Sequence, residues 1–190
     1  MVIFLISYLI GSIPFGLILT KMNGIDVKKV GSGNIGATNV LRTGSKKMAI
    51  ATLFLDSLKG FIAVYATQNI CNDHTSLAAI AVILGHMFPV WLEFKGGKGI
   101  ATTIGVLLAI NLYVSTIFIC TWAIVFITSR YSSLSSLIAV LVSTMASLFY
   151  FKNALVALIV ATPLIIIRHH ENIIRLMKRE EHKFCAKKVN

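Results

Sequence analysis

Apolar runs at about 1–20, 48–68, 76–92, 99–129, 133–151 and 154–168 fill most of this chain, and no other feature constrains its folding as strongly. Coiled as a helix, about 20 apolar residues match the roughly 30 Å hydrocarbon core of a bilayer. A helix satisfies its own backbone hydrogen bonds in lipid, so runs of this length specify spanning helices. Composition agrees: 56 % of residues are hydrophobic, 13 % are charged and the mean hydropathy is +0.82. A soluble domain carries charge on about a quarter of its residues. The 190 residues suit one domain, and no repeat or low-complexity linker divides them, so 1–190 reads as a single transmembrane domain.

Charge placement sets the topology. The net charge is +11, from 18 basic and 7 acidic residues. Lys21, Lys28, Lys29, Arg42, Lys46 and Lys47 crowd the first polar segment, and Arg168, Arg175, Lys178, Arg179, Lys183, Lys187 and Lys188 crowd the tail. Lys and Arg accumulate in cytoplasmic loops. No basic residue precedes the first apolar run, so that run reads as a retained span with its N-terminus outside, not as a cleaved signal. The 99–129 run is too long for one upright crossing and has a polar break at Asn111. Splitting it there returns Arg130 and the basic tail to the cytoplasm. The expectation is an all-α integral membrane protein with seven transmembrane helices, N-terminus outside and C-terminus cytoplasmic, the two helices around Asn111 being short.

The basic clusters lack the interleaved aromatics of a nucleic-acid platform, so the expected partner is the lipid bilayer and no nucleic acid. Cys71, Cys120 and Cys185 share no disulfide or metal spacing, and Cys185 reads as a free tail thiol. No metal site and no cofactor are expected.

Residues 31–36 read GSGNIG, the G-x-G-x-x-G spacing of dinucleotide-binding loops. That motif requires a strand before it and a helix after it. Here an apolar helix and a basic linker precede it, so the dinucleotide reading fails on context. The physics of the loop survives: glycines allow close backbone approach to an anion, and Ser32, Asn34, Thr38, Asn39 and Arg42 add donors. A second turn, FKGGKG (94–99), lacks the Ser or Thr and the glycine spacing of a P-loop, but Lys95 and Lys98 supply point charges. His86, in GHMFPVW (85–91), reads as a packed, hydrogen-bonded histidine. A third cluster, RHHENIIRL (168–176), places His169 beside Asn172 at i, i+3, turns His170 away, and pairs Glu171 with Arg175 at i, i+4. Asp56 and Lys59 are the charges inside an apolar span, and their i, i+3 spacing lets them face one another. The two fit a structural ion pair; alternatively Lys59 reaches an anionic ligand. Together the three polar segments suggest a site for phosphorylated ligands at the cytoplasmic membrane surface.

GSIPFG (11–16), GSGNIGATNVLR (31–42), GHMFPVWLEFKGGKGIAT (85–102) and RHHENIIRL (168–176), in this order, resemble the bacterial acyl-phosphate:glycerol-3-phosphate acyltransferases from about residue 7 to residue 180. Ile35 stands where many members carry proline. The resemblance implies a multi-pass enzyme of the bacterial inner membrane, with its active site facing the cytoplasm. It moves a fatty acyl group from acyl phosphate to the 1-hydroxyl of sn-glycerol 3-phosphate, giving lysophosphatidic acid and phosphate. Separately from the resemblance, a monomer is expected. Carried over by motif, Ser32 and His169 are catalytic, with His169 expected to hydrogen-bond Ser32. Arg42, Lys98, Asn172 and Arg168 bind substrate, and Asn34, Thr38, Asn39, Lys95 and His86 line or shape the site. None of the five histidines has an Asp five residues on, the pairing other glycerolipid acyltransferases use, and no G-x-S-x-G elbow is present. The competing classes are a small membrane permease for a phosphorylated metabolite, which requires a compartment to show activity, and a lipid-binding scaffold, which turns nothing over.

Overall fold

The computed structural model describes residues 1–184; Cys185, Lys187 and Lys188 lie outside them. All regular elements among the described residues are helical. The chain divides into two compact units, Met1–Leu112 and Tyr113–Asn190.

The first unit holds α1 (Val2–Gly11), α2 (Phe15–Met22), the short α3 (Ala37–Leu41), α4 (Lys46–Ile70), α5 (Thr75–Met87) and α6 (Ile100–Ile110). At 25 residues, α4 is about 37 Å long at 1.5 Å per residue and forms the axis of the unit. The Ser45 hydroxyl caps it by accepting from the Met48 amide at 3.2 Å. Helix α4 packs along α6, and α1 along α5.

Both packings are made at glycines. A Cβ on Gly11 would meet the Val82 carbonyl oxygen of α5, and one on Gly85 would meet the Tyr8 carbonyl oxygen of α1. Between α4 and α6, Gly60 faces the Thr102 carbonyl and Gly105 faces the Ser57 carbonyl in the same reciprocal way. Lipid tails are as apolar as leucine, so helices in a bilayer associate through close backbone approach at small residues, not through exclusion of water.

The second unit holds α7 (Leu112–Ser129), α8 (Ser132–Phe149), α9 (Lys152–Arg168) and α10 (His170–Met177). Helix α8 turns buried Ser136, Ala139, Ser143 and Ser147 inward and packs on α9, whose buried residues include Ala154, Ala157 and Ala161. The hydroxyls of Thr144 and Thr162 meet between them at 2.7 Å. The Trp122 indole N–H donates to the Ser136 hydroxyl at 3.1 Å and ties α7 to α8. Between α9 and α10 the chain bends by 58°.

Five segments are long and apolar enough to cross a membrane: 2–22, 46–70, 72–92, 112–129 and 132–149. The bent pair α9–α10 makes a sixth if it is counted as one span. The long apolar run does part at Asn111, where an extended residue ends α6. Only the first piece is short, however. Helix α6 has 11 residues, about 16 Å, while α7 keeps 18 because the apolar run continues unbroken to Ser129. The first apolar run is also two helices, interrupted at Ser12–Pro14, since proline brings no N–H to the ladder. Two carbonyls that the break releases are satisfied by side chains: the Trp91 indole donates to Ser12 O at 2.7 Å and the Lys59 ammonium to Ile13 O at 2.9 Å.

The glycine contacts give a direct test. Gly105→Ala places a methyl against the Ser57 carbonyl and is expected to destabilise the unit by about 1–3 kcal/mol, read as a lower thermal unfolding midpoint in detergent.

Candidate active site

Residues 23–45 form a loop around one side chain, Asn39, which is 2 % exposed. Its Nδ2 shares its two hydrogens among the carbonyls of Val27 (3.1 Å), Val30 (2.9 Å) and Asn34 (2.8 Å). Its Oδ1 accepts from the Ser32 amide at 3.0 Å. Gly33 N–H donates to Val30 O at 3.0 Å. The amides of Ser32 and Gly33 therefore hold the loop's own shape. Gly31 and Gly33 sit at φ 54° and 69°, which glycine adopts without strain. Val27, Ile35 and Val40 join Leu17 and Ala49 in an apolar core beneath the loop. Ile35, 3 % exposed, thus anchors the loop by packing where proline would stiffen it covalently.

Above this core Ser32 and Arg42 are exposed. The Arg42 stem lies so close to Gly31 that a Cβ there would collide with it, and its guanidinium is 3.5 Å from Asn39 Oδ1. Ser32, Asn39 and Arg42 are therefore neighbours, as the sequence leads one to expect. Asn34 is half-buried and Thr38 exposed on the same loop.

The second turn folds back onto the end of α5. Gly97 N–H donates to His86 O at 3.0 Å, and Gly96 N–H to Met87 O at 3.1 Å. Leu92, from the same connection, packs on the core of the 23–45 loop, which links the two polar segments of this unit. Lys95 is exposed and 3.5 Å from Glu93, while Lys98 is half-buried. His86 points inward. Its Nδ1 lies 2.9 Å from Lys59 Nζ, and Lys59 Nζ lies 2.7 Å from Asp56 Oδ1. The Asp56–Lys59 pair expected from spacing is present. Lys59 also donates to the Ile13 carbonyl at 2.9 Å, so this buried ammonium is committed to internal partners and reads as a structural group, not an anion hook.

In the second unit His169 sits at the α9–α10 bend, 2 % exposed, and His170 faces solvent. The helix assumed through this cluster is interrupted at His169, whose amide is shared between the Ile165 and Ile166 carbonyls at 3.0 Å each. Its ring Nδ1 is 2.8 Å from the Ile165 carbonyl. A carbonyl only accepts, so Nδ1 carries the proton and Nε2 is the basic nitrogen of the neutral ring. Asn172 is buried and Arg168 half-buried. Glu171 and Arg175 form the expected surface pair at 3.7 Å.

One residue escapes a reading of the sequence. Glu181 lies in a run, KREEHK, that looks like a solvated tail, yet its side chain is 6 % exposed. It accepts from Ser133 (2.9 Å), Asn172 (2.7 Å) and Arg175 (2.8 Å), clamping α10 to the start of α8. Burial alone would raise its pKa, but the hydrogen bonds from Arg175, Asn172 and Ser133, with the Arg175 charge, hold the carboxyl below the ordinary glutamate range.

This architecture defines a helical integral membrane protein whose polar loops are built to present hydroxyls and cations. The glycerol-3-phosphate acyltransferase family model matches residues 1–179. A glycerol-3-phosphate acyltransferase of Wolbachia pipientis (strain wPip) is 51 % identical, the match covering 96 % of this chain and 97 % of that one. One from Ehrlichia canis (strain Jake) is 49 % identical over 95 % and 96 %. The crystal structure of PlsY (YgiH), an integral membrane glycerol 3-phosphate acyltransferase, in its glycerol 3-phosphate form superposes with a TM-score of 0.93 at 40 % identity, covering 99 % of this chain and 96 % of that one. Its lysophosphatidic acid form gives 0.89. The chain belongs to the glycerol-3-phosphate acyltransferase family.

Two predictions follow from the clamps. Asn39→Ala removes the side-chain donor from three carbonyls, two of which keep a backbone N–H, and the acceptor from the Ser32 amide; it is expected to cost about 1–3 kcal/mol, with faster amide exchange confined to the 23–45 loop as the distinguishing readout. Glu181 has a folded pKa below its unfolded one, so its contribution is complete above the ordinary glutamate range and disappears as pH falls through the lowered folded value. Wild type should therefore unfold at a higher temperature than Glu181→Gln at neutral pH, and the gap should close on acidification.

Proposed function

We propose that the chain transfers a fatty acyl group from acyl phosphate to the 1-hydroxyl of sn-glycerol 3-phosphate, giving lysophosphatidic acid and phosphate, the first step of phospholipid synthesis. The observation that carries this reading is the near full-length match to an acyltransferase solved with glycerol 3-phosphate and with lysophosphatidic acid, an acceptor and a product of that reaction. We further propose seven membrane-embedded helices acting as one acyltransferase domain over 1–190, the N-terminus outside and the C-terminus cytoplasmic. The protein then works as a monomer in the bacterial inner membrane with its active site facing the cytoplasm. The crowding of Lys and Arg in 21–47 and 168–190 supports that orientation.

The chemistry follows from the substrates. Acyl phosphate is a mixed anhydride whose leaving group is a stable anion, so strong protonation of it is unnecessary. The acceptor O1 attacks the acyl carbonyl carbon, the carbon–oxygen bond to phosphate breaks, and phosphate departs with that electron pair. The hydroxyl proton passes to Nε2 of His169, whose Nδ1 proton is held by the Ile165 carbonyl. Ser32 orients the reacting carbonyl through its exposed hydroxyl. The larger obstacle is electrostatic. Unit charges 4 Å apart repel by about 4 kcal/mol at an effective dielectric of 20, and each phosphate carries more than one charge. Arg42, Lys98 and Arg168 offset that repulsion. Asn172 binds the glycerol, and Asn34, Thr38, Asn39, Lys95 and His86 shape the surroundings.

A turnover assay in detergent with acyl phosphate and glycerol 3-phosphate tests this. Wild type should release phosphate and lysophosphatidic acid without any compartment, and His169→Ala should lower kcat by about 10²–10⁴-fold, with Ser32→Ala also strongly impaired. Rapid quenching with labelled acyl phosphate should trap no acyl-enzyme; a kinetically competent acyl-Ser32 would replace direct attack by a two-step route.

A further inference from the structure

The Lys59 cluster is more than a buried ion pair, because one of its hydrogen-bond partners is a ring that touches the second polar turn. Lys59 is 4 % and Asp56 2 % exposed, both within α4. The ammonium hydrogen-bonds the Ile13 carbonyl and His86 Nδ1, each at 2.9 Å, and forms an ion pair with Asp56 Oδ1 at 2.7 Å, an oxygen that itself lies 3.6 Å from His86 Nδ1. A donor aimed at Nδ1 makes that nitrogen the acceptor, so the neutral ring carries its proton on Nε2. Nε2 lies against Gly97, where a Cβ would strike it. The carbonyl of the same histidine accepts the Gly97 amide at 3.0 Å. Both the ring and the backbone of His86 thus fix Gly97, and the next residue is Lys98.

We propose that Lys59, locked by Asp56 and the Ile13 carbonyl, holds His86 as its Nε2–H tautomer and through it sets the Lys95–Gly99 turn, making Lys59 and His86 positioning residues for the phosphate-binding Lys98. This rests on the role given to Lys98 under the proposed function. Neither Lys59 nor His86 touches substrate in this scheme. The network converts a break in the first span, a charge pair in α4 and the end of α5 into one fixed position for a flexible lysine. A lysine loses much rotamer freedom on binding, so a pre-set backbone beneath it should appear in the acceptor's KM.

The test joins a spectrum with a double-mutant cycle. In ¹⁵N-histidine-labelled wild type, the His86 signals, assigned by their loss in His86→Gln, should show an unprotonated Nδ1 and a protonated Nε2. The paired change Asp56→Asn with Lys59→Met removes both charges together and avoids stranding a buried carboxylate. It should raise the KM for glycerol 3-phosphate about 10-fold with a much smaller change in kcat, and release His86 from the single tautomer. On a Lys98→Ala background the same pair should change KM little, since its effect runs through Lys98. A protonated Nδ1 in the wild-type spectrum overturns the proposal, and that measurement needs no variant to fold other than the assignment control. An unchanged KM in the paired variant, or the same factor with and without Lys98, also overturns it while leaving Lys98 as a binding residue. A Lys98→Ala enzyme with normal KM instead removes Lys98 from substrate binding, and this positioning role falls with it.

Discussion

An ammonium inside a span is costly unless it is paired and hydrogen-bonded, and Lys59 has a carboxylate, a carbonyl and a ring nitrogen around it. That condition organises the first unit. The acceptors come from separate stretches of chain: the break after α1, the same turn of α4, and the last turn of α5. None can move far without uncovering a charge. The break itself is permissible in lipid only because its released carbonyls are taken up, one by Lys59 and one by Trp91. The glycine contacts between α1 and α5 bring these groups within reach, since a side chain at Gly11 or Gly85 would drive the two helices apart.

The polar loops follow a common plan. A buried side chain ties down the backbone, and the residues that face outward sit on that frame. Asn39 does this for Ser32 and Arg42; the backbone carbonyl of His86 holds the Gly97 amide, and Glu181 ties together the side chains of Ser133, Asn172 and Arg175. Glycine-rich loops are entropically expensive to order, and their internal bonds place that cost on folding. Asn39 suits its place better than Asp would, because a carboxylate facing the carbonyls of Val27, Val30 and Asn34 could donate to none of them.

Much of this was legible where the signal is local. Asn111 stands out as the polar residue in a long apolar run, and the chain does break there. Asp56 and Lys59 are one helical turn apart, so their pairing follows from geometry alone. His86 as Lys59's third partner was not legible, because 27 residues separate them and only the α4–α5 packing brings them together. The break at Ser12–Pro14 hides inside an uninterrupted apolar run. Glu181 hides in a charged tail whose composition looks solvated, and only the fold-back onto α8 buries it. The bend at His169 was not legible either, since RHHENIIRL is compatible with a continuous helix.

The distribution of carboxylates carries the electrostatic logic further. The chain has 7 acidic residues for 18 basic ones. Asp56 and Glu181 have buried side chains, and each holds a cation with a structural task, Lys59 and Arg175. Arg42 is treated differently: its neighbour is the neutral Asn39 carbonyl oxygen, which orients the guanidinium without cancelling its charge. A carboxylate at position 39 would hold Arg42 more tightly and weaken its field toward a phosphate. At Arg42, unlike Lys95 with Glu93 or Lys29 with Asp26, a neutral amide and not a carboxylate stands beside the outward cation, so its positive charge is not cancelled.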